Sequence, residues 1–117
     1  MAFLQKRVAG PVTLVDIATM ATAPTAASYT AGTGVTTIVK QMMFSNITSS
    51  TQQVSVWLFD GSGSIADSDI VFHSLDLAAY ETMLINLSLV MVDGEAIYAG
   101  AGNASSVNMT VSGIEET

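Results

Sequence analysis

The sequence predicts an all-β protein, an antiparallel β-sandwich of about seven to eight strands that is jelly-roll-like and carries an extended N-terminal arm. Short apolar stretches alternate with polar residues, turn-forming residues separate these stretches at close intervals, and no segment has the period of an amphipathic helix. The 117 residues suffice for one domain with its own core. We therefore divide the chain into an arm, residues 1–10, and a single sandwich domain, residues 11–117.

The strands are predicted one by one from their apolar pattern and their boundaries. Gly10-Pro11 separates the arm from the rest of the chain, and a stretch rich in Ala, Thr and Ser forms a loop before the stronger strands begin. Asn46 is expected to cap the turn that follows the strand ending near Phe44. Strands are predicted at residues 12–19, 35–44, 54–59, 70–74 and 105–113, with a loop at 21–31 and at most one helical turn in 75–81.

The most apolar part of the chain, residues 81–102, predicts two strands folded into a hairpin at Asp93-Gly94. Gly adopts the positive φ of a tight turn without a steric penalty, and apolar strands on both sides favour a hairpin. Positions 83, 85, 87, 89 and 91 are all apolar, whereas the alternate positions are mixed. This strand should therefore pack inward on a second sheet and outward against a loop or a neighbouring subunit. We expect the simplest topology for the strands at 35–44 and 54–59 also to be a hairpin.

Composition narrows the classes of function. A net charge of −7 with three fixed cations leaves no basic patch for nucleic acid. The absence of cysteine excludes a disulfide scaffold, thiol catalysis and cysteine-based zinc sites. No apolar run reaches the ~18 residues of a membrane helix, and the N-terminus lacks a signal-peptide core, so we expect no membrane partner and synthesis in the cytoplasm.

The scarcity of charge predicts a homo-oligomer. Charged residues make up 11% of the chain and hydrophobic residues 50%, whereas an ordinary soluble domain has about 25% charged residues. Part of the surface should therefore be covered in an assembly, and we expect a trimer. Residues 82–92 are the first candidates for the interface between copies.

We predict no catalytic site, no cofactor and no metal. The segment Gly61-Ser62-Gly63-Ser64-Ile65-Ala66 follows a strand as a nucleotide fingerprint would, but a strand comes next instead of the required helix. Asp60, Asp67 and Asp69 fit turn residues better than a Ca²⁺ site. His73, beside Ser74 and Asp76, is not interpreted as part of a catalytic triad, because the sequence has no G-x-S-x-G nucleophile elbow. Glu115 and Glu116 are interpreted as a solubilising tail.

Three aromatic residues suggest an alternative function, carbohydrate binding. Trp57, Tyr80 and Tyr98 could form a platform on which a sugar ring stacks, which would make the protein a carbohydrate-binding module or a tail or fibre component. Core and interface packing explains the same three residues.

From residue 35 onward, the order of features resembles that of the small β-sandwich virion proteins of tailed bacteriophages, the head decoration or cement class. The resemblance lies in VTTIVKQMMFSNITSSTQQVSVWLF, in VDGEAIYAGAG and in the closing SSVNMTVSGIEE. It implies a non-enzymatic protein, often trimeric, that sits on a capsid lattice and bridges subunits of the major capsid protein. It also implies a location in the virion, on the capsid surface.

The arm has no motif of that class, and its role is predicted from composition. It brings two of the three fixed cations next to two large apolar residues, so that electrostatic attraction and apolar burial can act at one place. We predict that it binds the capsid through Phe3, Leu4, Lys6 and Arg7.

Overall fold

The computed structural model describes residues 3–116, apart from the side chains of Phe3, Leu4 and Lys6. Nine strands account for most of this chain, and a short 3-10 turn, Asp67–Asp69, precedes the sixth. The strands are β1 (Phe3–Thr13), β2 (Val15–Asp16), β3 (Tyr29–Thr30), β4 (Thr36–Asn46), β5 (Gln52–Phe59), β6 (Ile70–Leu77), β7 (Thr82–Met91), β8 (Ala96–Ala101) and β9 (Val107–Glu116).

The strands form two sheets. Sheet A has the order β1-β9-β4-β7, and sheet B has the order β2-β8-β5-β6 with β3 also paired to β8. All pairings are antiparallel except the two-residue contact of β2 with β8. The chain alternates between the sheets, and of its consecutive strands only β5 and β6 pair with each other within the described residues. This interleaving of a four-stranded and a five-stranded sheet is a jelly roll, so the predicted fold class is confirmed.

The core lies between the two sheets. In β4 and β9 buried residues alternate with more exposed ones, as one face of a sandwich sheet requires, except at the register shift beside Lys40 and at the end of β9. Phe44 and Met42 are fully buried, and Leu77 and Ile97 meet them from sheet B. The inward face of β7 also matches its sequence pattern, since positions 83, 85, 87 and 89 are half-buried and the residues between them are exposed.

The predicted hairpin at Asp93-Gly94 is wrong, although the turn itself is present. Gly94 has a φ of 87°, as expected, but β7 pairs with β4 in sheet A while β8 lies in sheet B. The turn is tied to the loop before β4, because the Gly94 amide donates to the Ala31 carbonyl and the Ala31 amide donates to the Glu95 carbonyl. The residues of β8 are buried almost throughout, which suits an inner strand of sheet B, whereas β7 has an exposed face and lies at an edge.

The predicted hairpin of residues 35–44 and 54–59 is also wrong, since β4 belongs to sheet A and β5 to sheet B. Asn46 stabilises the crossover. Its Nδ2 donates to the carbonyls of Ser50, Leu77 and Ala78 at 2.8, 3.2 and 3.0 Å, and its Oδ1 accepts from the amide and hydroxyl of Thr48. Asn46 therefore caps the turn as predicted, and it also joins the β4–β5 crossover to the end of β6.

The predicted arm is extended over its described residues, and it is hydrogen-bonded to β9 as the first part of β1. The register shifts on either side of Ala9, next to Gly10, whose φ is 82°. The predicted loop at 21–31 and the predicted C-terminal tail also contain strand residues. Residues 29–30 pair with β8, and Glu115 with Glu116 belongs to β9 instead of a tail.

Candidate interaction surface

The outer face of sheet A is the surface formed by the strand residues that point away from the core. Facing residues of neighbouring strands form rows across the sheet, since directly opposed residues in antiparallel strands lie on the same face. One row runs Gln5, Ile114, Ile38, Val90, and the next runs Arg7, Ser112, Gln41, Asn86. Two further rows are Thr110, Met43, Leu84 and Thr13, Asn108, Ser45, Thr82.

Polar side chains on this face bond to one another across the strands. Thr13 donates to Asn108 at 2.9 Å, and Gln41 donates to Asn86 at 3.3 Å. The Nζ of Lys40, which lies where the register of β4 shifts, donates to the Ser88 hydroxyl at 2.8 Å. Between the polar rows, large apolar side chains stand open to solvent, with Leu84 52% and Val90 56% exposed. The face is therefore banded, polar rows alternating with apolar ones.

Charge is distributed unequally over the molecule. All three fixed cations belong to strands of sheet A, Lys6 and Arg7 to β1 and Lys40 to β4. Apart from Glu115 and Glu116, the acidic residues lie in sheet B or in the loops. Glu115 accepts a hydrogen bond from Tyr29 of sheet B. The outer face of sheet A is consequently the least acidic surface of a strongly acidic protein.

The four predicted site residues lie on β1, at one edge of sheet A, but strand alternation divides their positions between its two faces, with Phe3 and Arg7 on the outer face and Leu4 and Lys6 on the inner one. Phe3 and Leu4 face Glu116 and Glu115 of β9 in the register, Lys6 faces Gly113, and Arg7 faces Ser112. The Arg7 side chain is exposed, whereas those of the other three lie outside the described residues. Sequence reasoning missed Lys40, because only the sheet order places β4 two strands away from β1.

Two recesses mark the surface. A shallow one of about 560 Å³ lies on the outer face of sheet A, beside the bulge at Lys40, and a more enclosed one of about 470 Å³ lies under the loop that follows β2. The first is lined by Gln5, Lys40, Gln41, Ser112, Gly113 and Ile114. The second is lined mainly by small and apolar residues, including Ile17 and Pro24, and holds one carboxylate, that of Asp16.

The aromatic residues do not form the sugar platform of the alternative function. Trp57 is 1% exposed, so its ring face is not accessible to a ligand. Tyr98 is opposite Trp57 in the register and makes an edge contact with Phe59, their ring centroids 6.1 Å apart. Tyr80 is 70% exposed in the turn between β6 and β7, where its amide donates to the Thr48 carbonyl.

The acidic loop residues act as turn formers. Asp60 accepts from the Ser62 amide and Asp69 from the Ala66 amide, both at 2.8 Å. In the part of the chain that the structure describes, no three His, Asp or Glu side chains are grouped closely enough to hold a metal ion. His73 is exposed on β6. Among the described residues, no helix is long and apolar enough to span a membrane.

No protein-family model matches the chain, and no curated protein matches it. Among solved structures, similarity is found to a chain of infectious bursal disease virus, Gt strain, with a TM-score of 0.44 and 12% identity over 97% of this chain. This chain spans about a third of that one, 32% of its length. The coat protein of Tobacco streak virus, solved as a dimer, is similar with a TM-score of 0.39 and 10% identity, over 97% of this chain and 81% of that one. With both TM-scores below 0.5, neither likeness defines a family for this chain.

Proposed function

We propose that the protein is a non-enzymatic structural component of a bacteriophage virion, a cement protein that decorates and stabilises the capsid. It is made in the host cytoplasm and attaches to the capsid surface as a homo-oligomer, for which the resemblance to decoration proteins implies a trimer. There it bridges neighbouring subunits of the major capsid protein. The jelly roll is compatible with this role, since the fold recurs in viral capsid domains, but it also occurs in lectins and so does not specify a function.

The unequal distribution of charge is the observation that carries the proposal. A protein of net charge −7 is repelled by an acidic partner through most of its surface. The outer face of sheet A, with Arg7 and Lys40 exposed between apolar rows, is the surface on which that repulsion is weakest. It is also sparsely charged, as the centre of a protein interface is. We therefore assign the capsid contact to this face and to the adjoining edge strand β1.

Within β1, the proposed contacts are Phe3, Leu4, Lys6 and Arg7. Burying a large apolar side chain contributes about 1.5 to 3 kcal/mol, whereas an exposed ion pair contributes about 0 to 1 kcal/mol. The apolar pair should therefore contribute more to attachment than the charges. Several copies in one oligomer would strengthen a weak single contact through effective concentration.

Co-sedimentation with purified capsids tests the proposal. The variant with Phe3→Ala and Leu4→Ala should bind weakly, and the variant with Arg7→Gln and Lys40→Gln should bind less than the wild type at low salt. The matched control is Ser62→Asp with Ser64→Asp, on the exposed loop between β5 and β6. Like the variant with Arg7→Gln and Lys40→Gln, this protein has a net charge of −9, two units below the wild-type value of −7. Wild-type occupancy by both sheet A variants would show that the contact lies elsewhere.

Substitution is a cleaner test than truncation. Residues 3–9 pair with β9, so deleting residues 1–9 would uncover the backbone groups of an inner strand as well as remove the proposed contact. A truncated protein that fails to bind would not distinguish lost contact from lost folding. Circular dichroism of each substituted protein supplies the necessary check that the sandwich is intact.

A further inference from the structure

Strand β7 is an unprotected edge of sheet A. Among the described strands it bonds only to β4, so one side of its backbone faces away from the sheet. Natural proteins block such edges with charges, prolines or very short strands, because free amide and carbonyl groups pair readily with another strand. β7 has ten residues, TMLINLSLVM, and contains no charge, no proline and no glycine. A strand of this length and composition is suited to pairing.

Both faces of β7 leave apolar surface uncovered. On the outer side Leu84 and Val90 are more than half exposed, and Val92, just beyond the strand, is 48% exposed. On the inner side the residues that pack on the core, such as Ile85 and Leu89, are only half-buried, since no strand lies beyond them in sheet A. A further strand alongside β7 would cover both sets at once.

In β7, residues at equal distances before and after Leu87 are alike in polarity. An antiparallel strand of identical sequence, centred on Leu87, would place Leu84 opposite Val90 and Asn86 opposite Ser88. On the inner side it would place Ile85 opposite Leu89 and Met83 opposite Met91. Within residues 83–91 every facing pair then joins apolar to apolar or polar to polar, as cross-strand pairing favours.

Neighbouring registers lack this match. Centring the pairing on Asn86 would place Leu84 opposite Ser88, and centring it on Ser88 would place Asn86 opposite Val90. A change of register must keep facing residues on the same face of the sheet, so each partner moves by two residues and the centre of the pairing by one. The registers centred on Asn86 and Ser88 are therefore the nearest alternatives. Leu87 is thus the centre at which the strand complements itself best.

We propose that β7 pairs antiparallel with β7 of a second copy, about a twofold axis at Leu87, joining two A sheets into one continuous eight-stranded sheet. The absence of charge within β7 also favours a second copy of this chain as its partner. Each copy carries −7, but β7 has no charge and its nearest fixed charge on the outer face is Lys40, which bonds to Ser88. Within the paired strands no acidic residue is present, and like charges meet only at the two ends of the contact, where Glu81 is opposite Asp93 of the second copy.

The contact needs no virion and no other protein, so it does not depend on the proposed function. A twofold contact between identical surfaces closes at two copies. By itself it gives a dimer in solution, and combined with a threefold contact it gives six copies. Light scattering coupled to size exclusion distinguishes both from a trimer.

The first test blocks the edge with charge. Leu84→Lys together with Val90→Lys places two like-charged pairs across the axis, and the molar mass at about 20 μM should halve, from two copies to one or from six to three. The control is Val12→Lys with Val15→Lys, which adds the same charge at two other exposed apolar positions and should stay dimeric. Mixing the lysine variant with one that has Leu84→Glu and Val90→Glu should restore the dimer, because each lysine then faces a glutamate.

The second test reports the register, and the absence of native cysteine makes it selective. Facing residues in an antiparallel pair have Cα atoms about 4.5 to 5.5 Å apart, within the range a disulfide spans. An equimolar mixture of Asn86→Cys and Ser88→Cys proteins should form a cross-linked heterodimer under mild oxidation. Each variant alone should cross-link poorly, since its cysteines lie two residues out of register.

The proposal is overturned by any of three results. They are a wild-type protein that remains monomeric at these concentrations, an oligomer whose copy number is not halved by the paired lysine substitutions, or cysteine mixtures that cross-link no better than the single variants. Circular dichroism of the lysine variants confirms that loss of the dimer is not loss of the fold.

Discussion

Tyr29 and Glu115 belong to different sheets, and the Tyr29 hydroxyl donates a hydrogen bond of 2.9 Å to Oε2 of Glu115. Thr37 Oγ1 lies 2.8 Å from the same hydroxyl. The three side chains join β3, β9 and β4 at the end of the sandwich opposite Asn46. Burial raises the pKa of Tyr29 above its ordinary value of 10.0; the hydrogen bond with Thr37 lowers it, and that with Glu115 raises it further.

This contact predicts a loss of stability at alkaline pH. A tyrosine whose pKa is raised in the folded state contributes its full stabilisation below about pH 10, and that contribution disappears as the pH rises through the folded-state pKa. Denaturant unfolding between pH 8 and 11.5 should therefore show a steeper decline in the wild type than in Tyr29→Phe. Tyr80→Phe, at an exposed tyrosine, is the control and should follow the wild type. Equal slopes for wild type and Tyr29→Phe would contradict the prediction.

Asn46→Ala should lower the free energy of unfolding by about 3 kcal/mol, because it leaves the buried Leu77 carbonyl without this donor, breaks the part-buried bond to Ala78 and removes the cap of the crossover. Asn46 is 2% exposed, and Leu77 is fully buried, so water cannot replace the bond between them without local opening. The comparison is Asn108→Ala, which removes the partner of Thr13 on the outer face and should cost less than about 1 kcal/mol. Chemical denaturation measures both, and similar costs would argue against the role given to Asn46.

Gly113→Ala should destabilise the protein by about 1 to 3 kcal/mol through overpacking. A Cβ at this position would overlap the carbonyl oxygen of Ile38 and approach the Cα of Val39 at 3.1 Å, both of them backbone atoms that a rotamer change cannot move away. At Gly32 a Cβ would meet only Val35 Cγ2 at 3.6 Å, so Gly32→Ala is the matched control. The midpoint of thermal unfolding should fall for the first variant and hold for the second.

Trp57, the single tryptophan, should emit at short wavelength and resist quenching by acrylamide. Since its ring is buried, added sugars should leave its emission unchanged. Emission near that of a solvated indole, or a saturable shift with a glycan, would revive the carbohydrate-binding alternative. Unfolding in denaturant provides the reference for full exposure.

Local pattern was enough to predict the strands from residue 35 onward, whereas the strand predicted at 12–19 is wrong, since β1 ends at Thr13, β2 has only two residues and a turn follows. The alternation in residues 35–44, the turn at Asp93-Gly94 and the single-sided apolar face of residues 82–91 each follow from whether neighbouring residues favour burial or exposure, and the structure has all three. Asn46 was predicted to cap a turn for the same local reason. Its bonds to Leu77 and Ala78, about thirty residues away in the chain, could not be foreseen.

The sequence by itself determined that the chain is an all-β sandwich, because period-two patterning and turn residues are properties of neighbours along the chain. Only the tertiary structure decided which strand pairs with which. A turn joins two strands equally well within one sheet or across two, and the choice depends on how deeply each strand must be buried. β8, buried almost throughout, lies inside sheet B, and β7, exposed on one face, lies at the edge of sheet A. That division places Arg7 and Lys40 on one surface and leaves β7 open to a partner, and neither follows from local sequence.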